Sequence, residues 1–537
     1  MNRGLSRRHF LSFLAASGVS AAAAPAFAGA VERSLRPIGR GDNVALRTLD
    51  TPEDLIAKAN LGDGLVGYAV LSAATGQLLE SHQGTLGLPP ASVAKSLTAS
   101  YALDTLGPDY RFSTELWTTG AIVGGELKGD LVLVGGGDPT LDTDGLAEMA
   151  RSLAEIGIKK VTGRFIVDGG ALPYAAQIDL EQPVHVSYNP AVSAINLNYN
   201  RVSFEWERDG NGYDVSMDAP SMAGRQSVRM AHMAVSDRNG PIYTYADQDG
   251  RDEWSVASHA LGKGGSRWLP VRKPELYAGE VFQALAGSQG LQLPEPVIEH
   301  GVETVDLVAR RESEPLHVIL KEMLKYSTNL TAELVGLTAT RKRLGHAESI
   351  VHSAEVMNTW ARDELGLTHI AMTDHSGLGG NSRVAAADVA SALLQAERRL
   401  GLKPLLKPIT MLDGRGRPVQ DHPLKVHAKT GTLNFVSGLG GFVDMPSGEQ
   451  LVFAIFCGDV PRRDAIPVEE RERPPGMRAW NRRAKALQQD LIERWAVLFP
   501  KGTGPEPAAA VASASPDVTP TTQTSSGSVA KPQSAAP

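Results

Sequence analysis

The chain has 537 residues, of which 42% are hydrophobic and 21% are charged, so it is long enough and apolar enough to form several packed cores. Its formal net charge of −7 argues against a nucleic-acid-binding protein, because such proteins usually carry a basic balance. Cys457 is the only cysteine, which excludes an internal disulfide and leaves no support for a cysteine-ligated metal site.

The N-terminal segment has the pattern of an export signal. Arg7 and Arg8 precede the apolar run Phe10–Ala24, and Ala26–Ala28 has the small-x-small pattern of a cleavage site. The paired arginines resemble those of a twin-arginine signal, which exports a bacterial protein after it has folded. We therefore predict a signal peptide over residues 1–28 and a periplasmic protein. The mature chain is expected not to span a membrane, since no later stretch approaches about 20 apolar residues.

A predicted β-hairpin lies ahead of the first candidate site. Leu65–Leu71 and Gln77–His82 have strand patterns, and the residues between them, Ala73–Gly76, have the composition of a turn. The hairpin is followed by a segment with a different, helical pattern.

Ser92 and Lys95 stand at the start of this predicted helix. Pro89 and Pro90 can precede a helix but not lie within one, and apolar residues recur at helical spacing from Val93 onward. Residues three apart share one face of a helix, so the Lys95 amine can reach the Ser92 hydroxyl. A serine hydroxyl is a weak nucleophile until a neighbour takes its proton, and the pair is therefore a candidate nucleophile with its base.

The same four residues recur as Ser528–Lys531, so the tetrapeptide alone has low specificity. There Pro532 disfavours a helical conformation of Lys531, and the surrounding Pro, Ser, Thr and Ala offer no apolar face. The helical context therefore favours Ser92. We predict that residues 501–537, which share this composition, form a disordered tail.

The alternation of helical and strand patterns predicts an inserted region. After the Ser92 helix the chain changes to short strands and glycine-rich turns, and helical patterns return from Leu316. We predict a helix-rich parent domain formed by residues 44–112 and 303–500, with one or two mostly β domains inserted over residues 113–302. Within the insertion we expect one helix, near Leu146–Ile156.

A second candidate motif is Ser327-x-Asn329, which breaks two apolar helical runs. At such a break a hydroxyl and a carboxamide can face a cleft, although capping of a helix is the alternative interpretation. A further Ser-x-Asn, at Ser187–Asn189, runs into Pro190 inside the predicted insertion, and we interpret it as structural.

The third motif is Lys429-Thr430-Gly431, followed by Thr432. It lies in the first of three predicted antiparallel strands, and a Lys-Thr-Gly sequence is expected well under once by chance in a chain of this length. A glycine within a strand lets another backbone approach closely, which a substrate lying alongside would require.

In chain order, these three motifs resemble those of the penicillin-interacting serine enzymes. The long chain between Ser92 and Ser327, together with Gly135–Leu141 and Thr373–Leu378, resembles peptidase family S13, the D-alanyl-D-alanine carboxypeptidases and endopeptidases of the penicillin-binding protein 4 type. The resemblance extends from about residue 50 to residue 499. Members of that family usually have glycine where His375 stands.

The resemblance implies an α+β fold: a penicillin-binding (β-lactamase/transpeptidase-like) domain with one or two mostly β domains between the first and second catalytic motifs. It implies that Ser92 forms an acyl-enzyme with Lys95 as its base, that Ser327 relays a proton to the leaving amine, and that Asn329 holds the amide of the peptide. The implied substrate-binding residues are Asn329, Lys429, Thr430, Gly431, Thr432 and Asp138. The backbone N–H groups of Ser92 and Thr432 would form the oxyanion hole.

Lys95 must be neutral to accept the Ser92 proton, yet a free lysine has a pKa near about 10.4. Lowering it to about 7 or 8 requires burial or a nearby cation, and we expect Lys429 to be that cation.

Asp138 is expected to face the cleft and receive a free amine of the peptidoglycan stem. The alternative is that Asp138 belongs to a turn, because Pro139 follows it and a run of glycines precedes it.

The expected activity is that of a serine-type D-Ala-D-Ala carboxypeptidase, with D,D-endopeptidase activity as a further possibility. We expect a peptidoglycan peptide as substrate, a β-lactam as covalent inhibitor, and neither a cofactor nor a nucleic-acid partner. The sequence gives no indication of the oligomeric state.

Two other functions stay open. A serine β-lactamase typically uses a glutamate-held water for fast deacylation, and the nearest candidate, Glu355–Asn358, lacks the Glu-x-x-x-Asn spacing. A non-catalytic peptidoglycan-binding protein would keep the cleft without needing the full set of reactive side chains. Phosphate or metal chemistry lacks support, because Gly135–Gly137 is not followed by Lys-Ser or Lys-Thr and the sequence has no His-Glu-x-x-His.

Overall fold

A computed structural model describes residues 49–222 and 224–500 of the chain. The predicted signal peptide (1–28) and the predicted tail (501–537) lie outside the described residues.

The chain alternates between helices and strands along its whole described length. In chain order the strands are β1 Leu65–Ser72, β2 Leu78–His82, β3 Ser113–Thr118, β4 Ile122–Val123, β5 Glu126–Leu127, β6 Leu131–Gly135, β7 Lys160–Val161, β8 Phe165–Asp168, β9 Arg201–Asp209, β10 Gly212–Ser221, β11 Gly224–Ser227, β12 Ala231–Ser236, β13 Tyr243–Gln248, β14 Arg251–Ala257, β15 Gly264–Pro270, β16 Pro296–Ile298, β17 Asp306–Glu312, β18 Ile370–Ala371, β19 Arg383–Val384, β20 Lys407–Ile409, β21 Lys425–Leu433, β22 Val436–Asp444 and β23 Gln450–Gly458. The helices are α1 Pro52–Ala59, α2 Ala94–Leu106, α3 Thr143–Glu155, α4 Pro274–Ser288, α5 Leu316–Tyr326, α6 Asn329–Leu344, α7 Ile350–Leu365, α8 Ala386–Leu400, α9 Val460–Asp464 and α10 Met477–Leu498.

A six-stranded antiparallel sheet forms the centre of the parent domain, in the order β2-β1-β23-β22-β21-β20. The predicted hairpin is confirmed as β1 and β2, and the three predicted strands around Lys-Thr-Gly are confirmed as neighbours β21, β22 and β23. Because the first and last parts of the chain pair through β1 and β23, the domain is closed by residues far apart in sequence.

Both faces of this sheet are buried, which explains the long apolar run of β23. Val452, Ala454 and Phe456 pack with helices α2, α5, α6, α7 and α8 on one face. The alternate residues, among them Phe453 and Cys457, pack with α1 and α10 on the other. Side chains alternate across a strand, so a strand covered on both sides is apolar at every position. Cys457 is buried there, as predicted.

The inserted region contains a five-stranded mixed sheet in the order β16-β8-β6-β3-β17, whose core includes helices α3 and α4. Two further sheets, β11-β10-β9-β15 and β12-β14-β13, add mostly antiparallel structure, and β4, β5 and β7 form a small third one. A mostly β insertion inside a helix-rich domain is therefore confirmed. The chain leaves the insertion only after Glu312, because β17 pairs with β3, and not at residue 302 as predicted.

Helix α4 was not predicted. Its buried residues include Tyr277, Val281 and Phe282, and it also carries Gly279, which packs closely against β8 and β16. A helix that is apolar around much of its surface and includes glycine has little helical periodicity in its sequence. The sequence of α4 therefore resembled the strands around it.

Candidate active site

The three sequence motifs meet around one cavity of about 240 Å³. Ser92, Ser327, Asn329 and Thr432 line it, as do Gly377 and Leu378 of the segment Thr373–Leu378. The other lining residues lie outside the recognised motifs: Gln182, Tyr188, Leu433, Asn434, Arg463, Arg471, Glu472 and Met477. The predicted convergence of three distant segments is therefore present in the fold.

Ser92 lies in a 3₁₀ turn, Ala91–Val93, that leads directly into α2. Strand β21 passes very close to this turn, since a Cβ atom on Gly431 would lie 2.7 Å from the carbonyl oxygen of Pro90 and 3.1 Å from the amide nitrogen of Ser92. Glycine is required at 431 because the backbone that approaches is the chain's own. This contact sets the position of Ser92 against the Lys-Thr-Gly strand.

The amine of Lys95 has three partners in fixed positions. Its Nζ lies 3.0 Å from Ser92 Oγ, 2.7 Å from Asn329 Oδ1 and 2.7 Å from the carbonyl oxygen of Ser376. The two carbonyl-type oxygens can only accept hydrogen bonds. A neutral amine therefore donates to both of them and turns its lone pair toward the hydroxyl of Ser92.

Burial lowers the pKa of Lys95 to about 8, while the carboxylates of Asp374 and Glu333 act in the opposite direction. Burial also lowers the pKa of Lys429, to about 6, and the positive charge of Lys95 adds to that effect. The largest cause of the low pKa of Lys95 is therefore burial, and not the expected cation at Lys429. Of the two buried amines, Lys429 is the weaker base.

Glu333 and Asp374 are buried acidic residues that the sequence analysis missed. Glu333 accepts hydrogen bonds from the amides of His375 and Ser376, and Asp374 accepts from the amides of Gly377 and Gly379. Burial raises the pKa of both carboxyl groups. They stabilise the loop whose carbonyl holds Lys95. Asp374 belongs to the segment Thr373–Leu378, but nothing in that segment marked its carboxylate for this role, and Glu333 lies in no recognised motif.

Ser327 ends helix α5 in a left-handed conformation, with φ of 62°, directly before α6 begins at Asn329. The predicted break between two helices is therefore confirmed. Lys429 Nζ donates to Ser327 Oγ at 3.0 Å and to the carbonyl of Thr430 at 2.7 Å. The second and third motifs are thus in direct contact, and Thr432 continues the same strand along the cavity.

Asn329 also joins the active site to the inserted region. Its Nδ2 donates to the carbonyl oxygen of Tyr188 at 2.9 Å, while Asn189 is buried and bonds to the backbone of Asp179. The second Ser-x-Asn segment, interpreted as structural, does support its own loop, but its middle residue Tyr188 lines the cavity. No spacing in the sequence marked that residue.

Asp138 does not line the cavity. Its side chain is 1% exposed, Oδ1 accepts from both the amide and the hydroxyl of Thr140, and Oδ2 is 3.1 Å from Arg311 Nη1. These contacts occupy both oxygens, so the expectation that Asp138 faces the cleft and receives a substrate amine is not supported. The geometry agrees with the alternative, a turn, and a partly buried ion pair with Arg311 anchors this turn.

Three charged residues of the cavity lie in the segment after β23. Glu472 is 2.8 Å from His185 and 3.0 Å from Arg267, and these contacts lower its pKa to about 2, with His185 as the largest cause. Arg471 pairs with Glu181 at 2.9 Å. Arg463 is only 5% exposed, and no side-chain hydrogen bond or ion pair joins it to another of the described residues.

Within residues 49–222 and 224–500, no group of acidic, histidine or cysteine side chains is arranged to bind a metal ion. Among the same residues, no helix combines the length and the apolar character needed to cross a membrane.

Comparisons with known proteins agree with this geometry. Residues 50–475 match the model of the D-Ala-D-Ala carboxypeptidase 3 (S13) family. The D-alanyl-D-alanine carboxypeptidase of Actinomadura sp. strain R39 is 28% identical, over 76% of this chain and 81% of its own. D-alanyl-D-alanine carboxypeptidase DacB of Haemophilus influenzae is 26% identical, and the match covers 75% of this chain and 87% of that protein. The crystal structure of penicillin-binding protein 4 from Haemophilus influenzae superposes with a TM-score of 0.69 at 20% identity, covering 83% of this chain and 99% of that one.

Proposed function

Because this chain belongs to the D-Ala-D-Ala carboxypeptidase 3 (S13) family, we propose that it cleaves the bond between the two D-alanines of peptidoglycan peptides through an acyl-enzyme on Ser92. The observation that carries the proposal is the geometry of Lys95. Two acceptor oxygens fix its amine, and the remaining direction is toward Ser92 Oγ, 3.0 Å away.

In the first step Ser92 Oγ attacks the carbonyl carbon while its proton moves to the neutral amine of Lys95. The carbonyl oxygen becomes negative, and we assign the amides of Ser92 and Thr432 to stabilise it. Each such donor is worth about 3 kcal/mol in the transition state. The close contact at Gly431 keeps the strand that carries one donor beside the turn that carries the other.

In the second step the C–N bond breaks and the leaving D-alanine takes up a proton. Ser327 and Lys429, which are hydrogen-bonded to each other, are the groups we assign to this relay. Lys429 together with the hydroxyls of Thr430 and Thr432 would hold the terminal carboxylate of the substrate, and Asn329 would hold its amide. Water then hydrolyses the ester on Ser92.

A β-lactam presents a carboxylate and a strained amide in a similar arrangement, so we expect it to acylate Ser92. The same cavity would serve a cross-linked peptide if its second stem can enter, which makes endopeptidase activity part of the proposal. We also propose that the chain acts in the periplasm after export by the predicted signal peptide over residues 1–28.

Arg463 suggests one requirement of the substrate. Arg463 lines the cavity, and its guanidinium makes no hydrogen bond or ion pair with the other described residues, so a carboxylate in the cavity is the group that would pair with it best. We propose that the peptide carries a second carboxylate besides its C-terminal one. Arg463→Gln should then raise KM about tenfold to a hundredfold for such a peptide, and it should change little for the same peptide with that group amidated. Arg462→Gln is the control, because Arg462 is adjacent and exposed.

The test of the whole proposal is incubation of the purified protein and its Ser92→Ala variant with muropeptides, followed by mass spectrometry. We expect release of D-alanine, with or without loss of cross-links, from the unchanged protein alone. Rapid turnover of a chromogenic cephalosporin would instead indicate a β-lactamase. Binding of muropeptides without any turnover would indicate a peptidoglycan-binding protein.

A further inference from the structure

His375 lies in the loop that holds the amine of Lys95. The carbonyl of the next residue, Ser376, accepts from Lys95 Nζ, and the carbonyl of His375 itself accepts from the Thr98 hydroxyl at 2.6 Å. The amides of His375 and Ser376 donate to the two oxygens of Glu333, at 3.0 and 2.9 Å. The backbone on both sides of His375 is thus bound to α2 and α6, the helices that carry Lys95 and Asn329.

The imidazole ring of His375 is fully buried near two residues of those helices. It is parallel to the ring of Tyr101, with 6.4 Å between the centroids and 3° between the planes. The ring also packs directly on Gly336, where an added Cβ atom would be 2.2 Å from His375 Cγ. The ring therefore fills space that exists only because residue 336 has no side chain.

A chain of hydrogen bonds fixes the ring in this space. His375 Nε2 is 2.7 Å from Ser353 Oγ, which is 2.7 Å from Thr340 Oγ1, which in turn is 3.1 Å from the hydroxyl of Tyr101. Burial lowers the pKa of His375 to about 3, so the ring is neutral at physiological pH. The network connects α2, α6 and α7 to the loop that contacts Lys95.

We propose that His375 is a positioning residue for Lys95: its ring, packed on Gly336 and hydrogen-bonded to Ser353, fixes the loop so that the carbonyl of Ser376 orients the amine toward Ser92. This inference rests on the proposed function, in which Lys95 is the base. It assigns to His375 and Gly336 a joint role, because the ring at one position requires the absence of a side chain at the other.

If the loop moves, the pKa of Lys95 should rise. The charged groups that face its amine are Glu333 on α6, Asp374 in the loop and Lys429 on β21, and burial outweighs the two carboxylates. A displaced loop admits water and weakens that burial. Because the neutral amine is the active form, the rise of the acylation rate with pH would then shift to higher pH.

The test uses the full chain and its variants His375→Ala, Gly336→Ala and the double variant, with Gly287→Ala as control. Gly287 lies in α4, and an added Cβ there would meet nothing within 4 Å. The rate of acylation by labelled penicillin is measured between about pH 6 and pH 10, and thermal unfolding is followed in parallel. The pH at which the rate rises does not depend on how much of the protein is folded.

We expect each single variant to slow acylation about tenfold near neutral pH. The pH at which the acylation rate rises should also move up by about half a unit or more. The double variant should behave like His375→Ala, because the new methyl group then enters vacated space. Two results would overturn the inference: an acylation rate that rises at the same pH in His375→Ala as in the unchanged protein, or losses of rate in the double variant that are fully additive. If Gly336→Ala does not fold, His375→Ala decides alone. Failure of the proposed function is separate, since the unchanged protein would then not be labelled at all.

Discussion

Two lysines are buried beside the cavity, Lys95 and Lys429, and in the proposed mechanism the rate of acylation depends on which of them carries a proton. Burial lowers the pKa of Lys95 to about 8 and that of Lys429 to about 6. Near neutral pH, Lys429 is therefore largely neutral before a substrate carboxylate enters, and it contributes little to keeping Lys95 neutral. Binding of a carboxylate favours protonation of Lys429, which couples recognition of the substrate to the charge of the cavity.

This order of pKa values predicts the pH profile of Lys429→Gln. The rate of acylation should rise through about pH 8 in the unchanged protein, because the active form of Lys95 is the neutral one. In Lys429→Gln we expect the rate to fall about a hundredfold through loss of carboxylate binding, while the rise stays within about half a unit of its original pH. Acylation by labelled penicillin across pH measures both. A rise that moves to about pH 9 or above would show that Lys429 is, after all, the cation that keeps Lys95 neutral.

Asp138 is expected to act on stability and not on selectivity. Asp138→Asn keeps the shape of the side chain but removes the charge that pairs with Arg311, and we expect a loss of about 2 kcal/mol in the free energy of unfolding. Urea unfolding measures that loss. Cleavage of peptides with and without a free stem amine should change by the same factor, and a selective loss for the amine-bearing peptide would restore the role first expected from the sequence.

The residues that the sequence could identify are those whose chemistry requires a short fixed spacing. Ser92 and Lys95 share one helix face, Ser327 and Asn329 flank one helix boundary, and Lys429 to Thr432 follow one strand. Arg463 and Glu333 could not be found in this way. Arg463 matters because it lines the cavity beside Glu181 and Glu472, and Glu333 matters because it accepts from the backbone amides of His375 and Ser376. Such contacts between distant parts of the chain leave no local pattern.

At the scale of elements, the position of the nucleophile depends on the contact between β21 and the turn before α2. Gly431→Ala would place a Cβ atom 2.7 Å from the carbonyl oxygen of Pro90, and the strand must then move away from Ser92. Because the two proposed oxyanion donors, the amides of Ser92 and Thr432, lie on opposite sides of this contact, we expect acylation to slow about a hundredfold. The rate of labelling by penicillin measures the effect, with Gly287→Ala as a matched control. Labelling at the unchanged rate would show that the strand and the turn are not coupled.

Two kinds of element were predicted well from sequence patterns. The first kind has one apolar face, and the second is buried on both faces and therefore appears in the sequence as a continuous run of apolar residues. The strands β1, β22 and β23 are of the second kind. Helix α4 has apolar residues around much of its surface, so the local sequence does not identify it as a helix. Strand β17 pairs with β3, which lies far earlier in the chain, so the local sequence does not identify its partner. Such elements are decided by tertiary packing, which no local pattern records.

At the scale of the whole molecule, the inserted region forms part of the wall of the active site. The carbonyl of Tyr188 accepts from Asn329, and the loop that contains it is tied to the segment after β23 through the ion pairs of Glu472 and Arg471. The insertion therefore closes one side of the cavity around the three motifs. We infer that its contribution to cleavage lies in fixing that wall against a long peptide.

Glu472→Gln tests this contribution of the insertion. Glu472 bonds to His185 and Arg267, both on the insertion, and each partly exposed pair is worth about 0.5 to 1 kcal/mol. Losing both should loosen the wall and raise KM for a peptide substrate about fivefold to tenfold, with kcat nearly unchanged. Acylation by penicillin, which needs only the serine end of the cavity, should stay within about twofold of the original rate.

Glu470→Gln is the matched control, because Glu470 is exposed in the same segment and makes no ion pair with the other described residues. An equal loss for peptide and penicillin would mean that the pairs support the catalytic residues themselves, and no change in either would mean that the insertion is held by its buried contacts alone.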